Sequence, residues 1–170
     1  MPEPLNAEAK FILPTIFIEV RTVLFIGRIE NKLDTKGRIS FPAAFREVLT
    51  SSLHKGVILH PSLLYPCLEG FSYEFYQNYV EENDNATTVL EGSGSPLKDY
   101  IISSTHSLSI DDAGRLTLPK SLSDSIGLTK ASHAVFVGKA KTFQIWEPSA
   151  LAAHEAEQRQ NALASIKSKP

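Results

Sequence analysis

The sequence predicts an α+β fold, mainly β, in which two similar units combine into one barrel-like domain. The first observation is a repeat, because DTKGRISFP (34–42) returns later in the chain as DDAGRLTLP (111–119). The second is that RISF and RLTL, within these copies, alternate as strands do. The third is that one copy has too little apolar sequence to close a core. We therefore expect two units related by a pseudo-twofold axis.

Each unit is predicted to run strand, tight turn, strand and helix. The strands before the turns are expected in FIGRIENKL (25–33) and HSLSI (106–110). A helix is expected after each proline of the repeat, since proline suits the first helical turn and apolar residues follow at helical spacing. Gly127 predicts the end of the second helix. The further predicted strands are GVILH, AVFVG and TFQIW.

Three more helices are predicted around these strands. Ser72 is a suitable N-cap for a helix through residue 82, with an aromatic face that contains Phe75, Tyr76 and Tyr79. A short helix is expected at 96–103, after a linker at 83–94. The tail from Pro148 favours a helix but has few apolar residues, which predicts a peripheral position.

The net charge of −2 is unevenly distributed along the chain. Residues 28–55 contain six basic and three acidic residues, and residues 111–141 contain five and three. Between them, residues 69–99 contain one basic and seven acidic residues. Both copies of the repeat therefore lie in positive segments, which modestly favours a polyanionic partner.

Catalytic and membrane functions are not indicated. The single cysteine, Cys67, lies in an apolar context and is predicted to be a packing thiol. No phosphate-binding loop, nucleophile elbow or metal-spaced histidine pair is present, and DTKG departs from the DTG of dimeric aspartic proteases. The sequence also contains neither an apolar segment long enough for a membrane span nor a secretory signal. We predict a non-enzyme without cofactor or metal.

The repeated turn has two interpretations that the pentapeptide alone leaves open. In the structural one, Asp34 and Asp111 accept backbone N–H groups, a glycine tolerates positive φ, and the arginine pairs with the aspartate. In the functional one, Lys36 and Arg38 project outward, toward phosphate or the O6/N7 edge of guanine. The first makes a hairpin and the second binds nucleic acid.

Several segments together resemble one known family. Besides the two turns, they are LFIGRIENKLD, HPSLLYPCLEG, SIGLTK and VFVGKAKTFQIWEP. The chain is similar, over about residues 24–150, to the MraZ transcriptional regulators of the SpoVT-AbrB superfamily. The resemblance implies a tandem swapped-hairpin β-barrel with peripheral helices.

The resemblance also implies a function. Family members are similar in binding repeated promoter elements in double-stranded DNA as homo-oligomeric rings. They are usually repressors of the bacterial division and cell-wall gene cluster, in the cytoplasm and on the nucleoid. The matching DNA-binding positions are Lys36, Arg38 and Arg115, with Arg28 and Lys32 as weaker candidates for phosphate. Those expected to shape the turns are Asp34, Gly37, Asp111 and Gly114.

Departures from the family pattern sharpen these expectations. Asp112 and Ala113 stand where the first copy has Thr35 and Lys36, so we expect the first turn to dominate DNA binding. The alternative to a regulator is an oligomeric scaffold or protein-interaction module that uses the aromatic face. The predicted organisation is an unmatched extension (1–23), a first unit (24–82), a linker with a short helix (83–104), a second unit (105–150) and a polar C-terminal helix (151–170). A misassigned start codon is our hypothesis for the extension.

Overall fold

The structure is a computed structural model that describes residues 24–50, 54–82 and 96–167. The expectations for the extension at 1–23 and for the linker at 83–94 lie outside these residues. The described part contains eight strands and five helices. The strands are β1 (Arg28–Lys32), β2 (Arg38–Ser40), β3 (Gly56–Pro61), β4 (Cys67–Phe71), β5 (His106–Ser109), β6 (Arg115–Thr117), β7 (His133–Lys139) and β8 (Thr142–Trp146). The helices are α1 (Ala43–Val48), α2 (Tyr73–Glu82), α3 (Pro96–Ser104), α4 (Lys120–Ser125) and α5 (Pro148–Lys167).

The elements confirm an α+β fold with more strands than helices in the described residues. Pro42 and Pro119 are the N-caps of α1 and α4, one position before the predicted first turn. Gly127, with φ +73°, follows the end of α4 as expected. The predictions missed β4, because the sequence CLEGF has no clear alternation and contains a glycine.

The strand order shows how the two units combine. Strands β1–β4 come from the first unit and β5–β8 from the second. The larger sheet has the order β1-β7-β8-β4-β3-β5, and a second sheet pairs β2 with β6. The counterparts in the two units are β1 and β5, β2 and β6, β3 and β7, and β4 and β8. Exchanging each strand for its counterpart gives the same order of the larger sheet, read from the other end. The structure therefore has the predicted pseudo-twofold relation, with strands of each unit paired to strands of the other.

The pseudo-twofold axis passes between β4 and β8. Glu69 and Gln144 face each other there, and Nε2 of Gln144 donates a 3.0 Å hydrogen bond to Oε1 of Glu69. Beside them, the ring of Phe143 lies against Gly70, where an added Cβ would be 2.3 Å from the ring. The missed strand β4 thus needs its glycine to pair closely with β8.

The core contains side chains from both units. Phe25, Phe41 and Phe45 of the first unit pack with Phe136 and Phe143 of the second, with ring centroids 5.1–6.3 Å apart. All five rings are buried. Neither unit could bury this cluster alone, which explains why the motif occurs twice in one chain. Closure of the two sheets into a barrel stays a prediction.

The remaining helices lie around this core. In α2, Phe75 stacks on Phe71 of β4 at 5.8 Å, and the hydroxyl of Tyr76 hydrogen-bonds to Thr105. In α5, Leu151 is buried whereas Leu163 and Ile166 are exposed. This helix is peripheral, as its polarity predicts. Over the described ranges, no helix combines the length and the apolar character that a membrane span requires.

Candidate nucleic-acid interface

The two repeated turns flank a short antiparallel ribbon made by β2 and β6. Ile39 and Leu116 pair across this ribbon and are buried. Because strand side chains alternate between faces, the residues on either side of this pair point away from the core. In the pairing register, Arg38 faces Thr117 and Ser40 faces Arg115. The outer face of the ribbon therefore presents two arginines at diagonal positions.

The first turn, residues 34–38, is organised by one carboxylate. Oδ1 of Asp34 accepts backbone N–H bonds from Lys36 and Arg38, both at 2.8 Å. Oδ2 accepts a bond from Nε of Arg38 at 2.7 Å. Gly37 has φ +78°, a conformation that favours glycine. Asp34 thus connects the backbone of the turn to the arginine at its end.

The second turn, residues 111–115, repeats this geometry. Asp111 accepts the backbone N–H of Arg115 at 2.8 Å and its Nε at 3.0 Å. Gly114 has φ +73°. The same acid, glycine and arginine therefore form the same turn in both units.

These hydrogen bonds change the acidity of both aspartates. The backbone N–H of Arg38 is the largest influence that lowers the pKa of Asp34, and the side chain of Arg38 lowers it further. Arg115 lowers the pKa of Asp111 through the same two groups. Both carboxylates are therefore charged at neutral pH and orient their arginines.

Pairing through Nε leaves most of each guanidinium available. An arginine has five N–H donors, and four of them are on the two Nη atoms. In residues 24–50, 54–82 and 96–167, no hydrogen bond is made by Nη of Arg38 or Arg115, nor by Nζ of Lys36. The structural and functional interpretations of the turn are thus compatible, since the aspartate fixes the arginine and its Nη groups remain for a ligand.

The two weaker candidates lie at opposite ends of the edge strand β1. Lys32 is exposed and lies two residues before Asp34, the first residue of the first turn. Arg28 is four residues earlier, roughly 13 Å away along a strand. Its Nη1 donates to Oε2 of Glu155 in α5 at 2.5 Å. The fold thus brings Lys36, Arg38 and Arg115 together around the ribbon, and holds Arg28 apart from them.

Each turn lies beside the helix of the opposite unit. The carbonyl of Gly37 accepts the N–H of Leu118 at 2.8 Å, and that of Gly114 accepts the N–H of Phe41 at 2.9 Å. A first-turn cleft of about 520 Å³ lies between the first turn and α4. A second-turn cleft of about 350 Å³ lies between the second turn and α1. These reciprocal contacts place charged residues of one unit next to the turn of the other.

Four basic residues that line these clefts were missed by the sequence reasoning. Arg46 and Lys55 line the second-turn cleft, and Lys120 and Lys130 line the first-turn cleft. None of the four is part of the repeated motif, so its residues contain no signal for them. Only the exchange of strands between units brings them to the turns.

Other chemistry-bearing groups have structural surroundings. Burial is the main cause that raises the pKa of Cys67 to about 12, and the charge of Glu69 adds to it. This agrees with a packing thiol, because a thiolate is needed for nucleophilic attack. The aromatic residues of α2 are half-buried, with contacts to Phe71 of β4 and to Thr105, rather than exposed as a free face. In the described part of the chain, no three His, Cys, Asp or Glu side chains gather in a way that could hold a metal ion.

The fold and the site together define a class, the tandem-repeat α+β proteins with two exchanged units and an outer ribbon between two Asp-Gly-Arg turns. Comparison with known proteins identifies the family. The model of the family described as "MraZ protein, putative antitoxin-like" matches residues 24–91 and 101–168. The chain belongs to the MraZ family.

Relatives named "Transcriptional regulator MraZ" occur in several bacteria. The protein from Rhodospirillum rubrum is 35% identical over 143 residues, which cover 81% of this chain and 90% of the relative. The protein from Gluconobacter oxydans is 36% identical over 142 residues, covering 82% of each chain. The protein from Phenylobacterium zucineum is 37% identical over 142 residues, covering 82% of this chain and 84% of the relative.

Proposed function

We propose that this protein is a transcriptional regulator that binds double-stranded DNA through the β2–β6 ribbon and its two turns. The observation that carries the proposal is the outer face of the ribbon, where aspartates orient Arg38 and Arg115 and leave their Nη groups unbonded within the described residues. The name shared by the relatives supports a regulatory role.

A two-stranded ribbon is an element that can enter the major groove of DNA. In that groove an arginine can donate two hydrogen bonds to O6 and N7 of guanine. In this proposal Arg38 and Arg115 contact base edges, whereas Lys36 and Lys32 contact phosphates and set the register. Arg28 contributes least, since Glu155 already pairs with it.

The two halves of the interface differ in charge. The first turn carries the exposed Lys36, whereas the second has Asp112 and Ala113 at the matching positions. Asp112 repels phosphate, so the first turn dominates affinity and the second assists.

The family resemblance extends the proposal to assembly and target. One subunit offers few phosphate contacts and binds weakly, whereas a homo-oligomeric ring facing repeated promoter elements raises the effective concentration of each contact. The proposed target is the promoter of the division and cell-wall gene cluster, including the protein's own gene, and occlusion of that promoter represses it. The protein then acts in the cytoplasm, on the nucleoid. Closure of the paired units into a barrel completes this proposal.

Fluorescence anisotropy on DNA from upstream of the protein's own gene, in rising salt, tests the proposal. Scrambled DNA is the control for specificity. Arg38→Ala is expected to weaken specific binding by about 1–3 kcal/mol, which is roughly 5- to 150-fold. Arg159→Ala is the matched control, because Arg159 is an exposed arginine of α5 far along the chain from the ribbon. It is expected to leave affinity unchanged.

Size-exclusion chromatography with light scattering separates loss of contact from loss of fold. Arg38→Ala should keep the oligomer mass of the wild type and lower the thermal midpoint only slightly, because the backbone N–H groups of residues 36 and 38 still bind Asp34. Equal affinity of the wild type for specific and scrambled DNA would contradict sequence-specific binding. Unfolding or dissociation of the Arg38→Ala variant would show that the arginine is structural.

A further inference from the structure

We propose that Arg46 is the phosphate-contacting cation of the second turn, supplied to it by the opposite unit. This inference rests on the proposed DNA-binding function and deepens it by adding a contact residue outside the repeated motif. Arg46 would do for the second turn what Lys36 does for the first.

The guanidinium of Arg46 occupies the space that a side chain at residue 114 would take, which is free because that residue is glycine. A Cβ added to Gly114 would lie 2.1 Å from Nη1 and 2.8 Å from Cζ of Arg46. The guanidinium therefore covers the glycine at the tip of the second turn. Arg46 comes from α1 in the first unit, so this contact crosses between units.

The guanidinium of Arg46 has its donors available. Throughout the described ranges it makes no hydrogen bond and no ion pair within 4.0 Å, although Asp111 and Asp112 line the same cleft. An exposed arginine beside an open cleft can direct its planar fork toward a phosphate.

A comparison of equivalent helix positions explains why Arg46 is needed. Arg46 lies four residues after Pro42, and Ser123 lies four residues after Pro119. Each lines the cleft beside the opposite unit's turn. Beside the first turn, which has its own Lys36, the equivalent helix position is Ser123 of α4. Ser123 is buried, and its hydroxyl donates a hydrogen bond to the backbone carbonyl of Lys120 in the same helix.

At Ala113, where the second turn has no counterpart of Lys36, the helix offers Arg46 instead. Besides its own arginine, each turn thus has a further cation beside its glycine, from its own residues in the first turn and from the opposite unit in the second. Arg46 also makes the second turn less negative, which offsets the repulsion between Asp112 and a nearby phosphate.

The salt dependence of DNA binding measures this contact. Each lost phosphate contact lowers the slope of log affinity against log salt by about 1. Arg46→Gln is expected to lower the slope by that amount for each engaged subunit, on specific and scrambled DNA alike. Lys36→Gln should lower it similarly, and the double variant should show the sum, because the two residues serve different turns. Arg159→Gln should keep the wild-type slope.

Arg46→Lys distinguishes phosphate contact from support of the turn. A phosphate contact is largely restored by lysine, so this variant should recover most of the slope. If Arg46→Gln keeps the wild-type salt slope while Arg38→Ala still weakens specific DNA binding, this inference is wrong and the proposed function stands. Wild-type protein that binds no DNA would overturn both the inference and the proposed function. A lower thermal midpoint with an unchanged slope in Arg46→Gln would show that Arg46 only supports the fold.

Discussion

The two turns of this protein have the same geometry and different cations. In both, an aspartate accepts the backbone N–H and the Nε of an arginine, and a glycine adopts φ between +73° and +78°. The positions between acid and glycine differ, with Thr35 and Lys36 in one copy and Asp112 and Ala113 in the other.

This contrast separates two kinds of residue. The aspartate, glycine and arginine that the copies share make the hydrogen bonds and adopt the dihedral angles that form the turn. The two residues that differ between the copies are exposed to solvent, so they can determine binding.

Exchanging the variable positions is expected to have the largest effect. Thr35→Asp with Lys36→Ala gives the first turn the residues of the second, removes one cation and adds one anion. DNA affinity should fall on the order of 2 kcal/mol, or about 30-fold, because the new carboxylate also repels phosphate. Anisotropy titration at low salt measures the loss.

The reciprocal exchange completes this test. Asp112→Thr with Ala113→Lys should raise affinity, since it removes one anion from the second turn and adds a lysine at the position that matches Lys36. If the two exchanges have equal and negligible effects, the variable positions do not contact DNA and the turns are equivalent.

Substituting the shared glycines is expected to cost about 1–2 kcal/mol of stability each, because an L side chain is strained at positive φ. Gly37→Ala should cost more, since its Cβ would be 3.1 Å from the backbone carbonyl of Leu118, which cannot easily move. Gly114→Ala would displace the flexible side chain of Arg46 instead. Urea denaturation should rank the two stabilities, and the Gly114 variant should bind DNA more weakly than the wild type.

Substituting the aspartates is expected to have a smaller effect on stability, which depends on pH. Since the pKa of Asp34 is lowered in the folded protein, its stabilising contribution is fully present above the ordinary aspartate pKa, roughly 3.9. It is lost as the pH falls through the lowered folded value. Asp34→Asn should therefore be less stable than wild type at pH 6, and the difference in stability should narrow as the pH falls below roughly 3.9 in urea titrations.

Asp111→Asn provides the comparison for this pH effect. The difference in stability between wild type and Asp111→Asn should be the smaller one. Nε of Arg115 is 3.0 Å from Oδ2 of Asp111, whereas Nε of Arg38 is 2.7 Å from Oδ2 of Asp34. A difference in stability that is constant from pH 6 to pH 3 would show that the carboxylate charges do not stabilise the turns.

The smallest effect is expected from Arg28, away from both turns. Its ion pair with Glu155 is exposed and worth about 0.2–1 kcal/mol. Arg28→Gln should change DNA affinity less than roughly twofold, whereas Lys32→Gln, beside the first turn, should lower the salt slope. A larger loss from Arg28→Gln than from Lys32→Gln would place the interface along β1 rather than at the ribbon.

Local sequence predicted local structure well in this protein. The repeat, the alternation of RISF and RLTL and the positions of Pro42 and Pro119 anticipate the turns, β2, β6 and the helices after them. The strand β4 was missed, because its glycine makes sense only when the ring of Phe143 is known to lie against it.

The sequence by itself determined the two units, the shared acid, glycine and arginine of each turn, and the difference between Lys36 and Ala113. Turn geometry depends on a few neighbouring residues, so these features are visible in a short segment. The tertiary structure alone decided which strands of the two units pair with one another and that Arg46 covers Gly114. Such contacts join residues distant in the chain, and they form because neither unit can bury its apolar surface without the other.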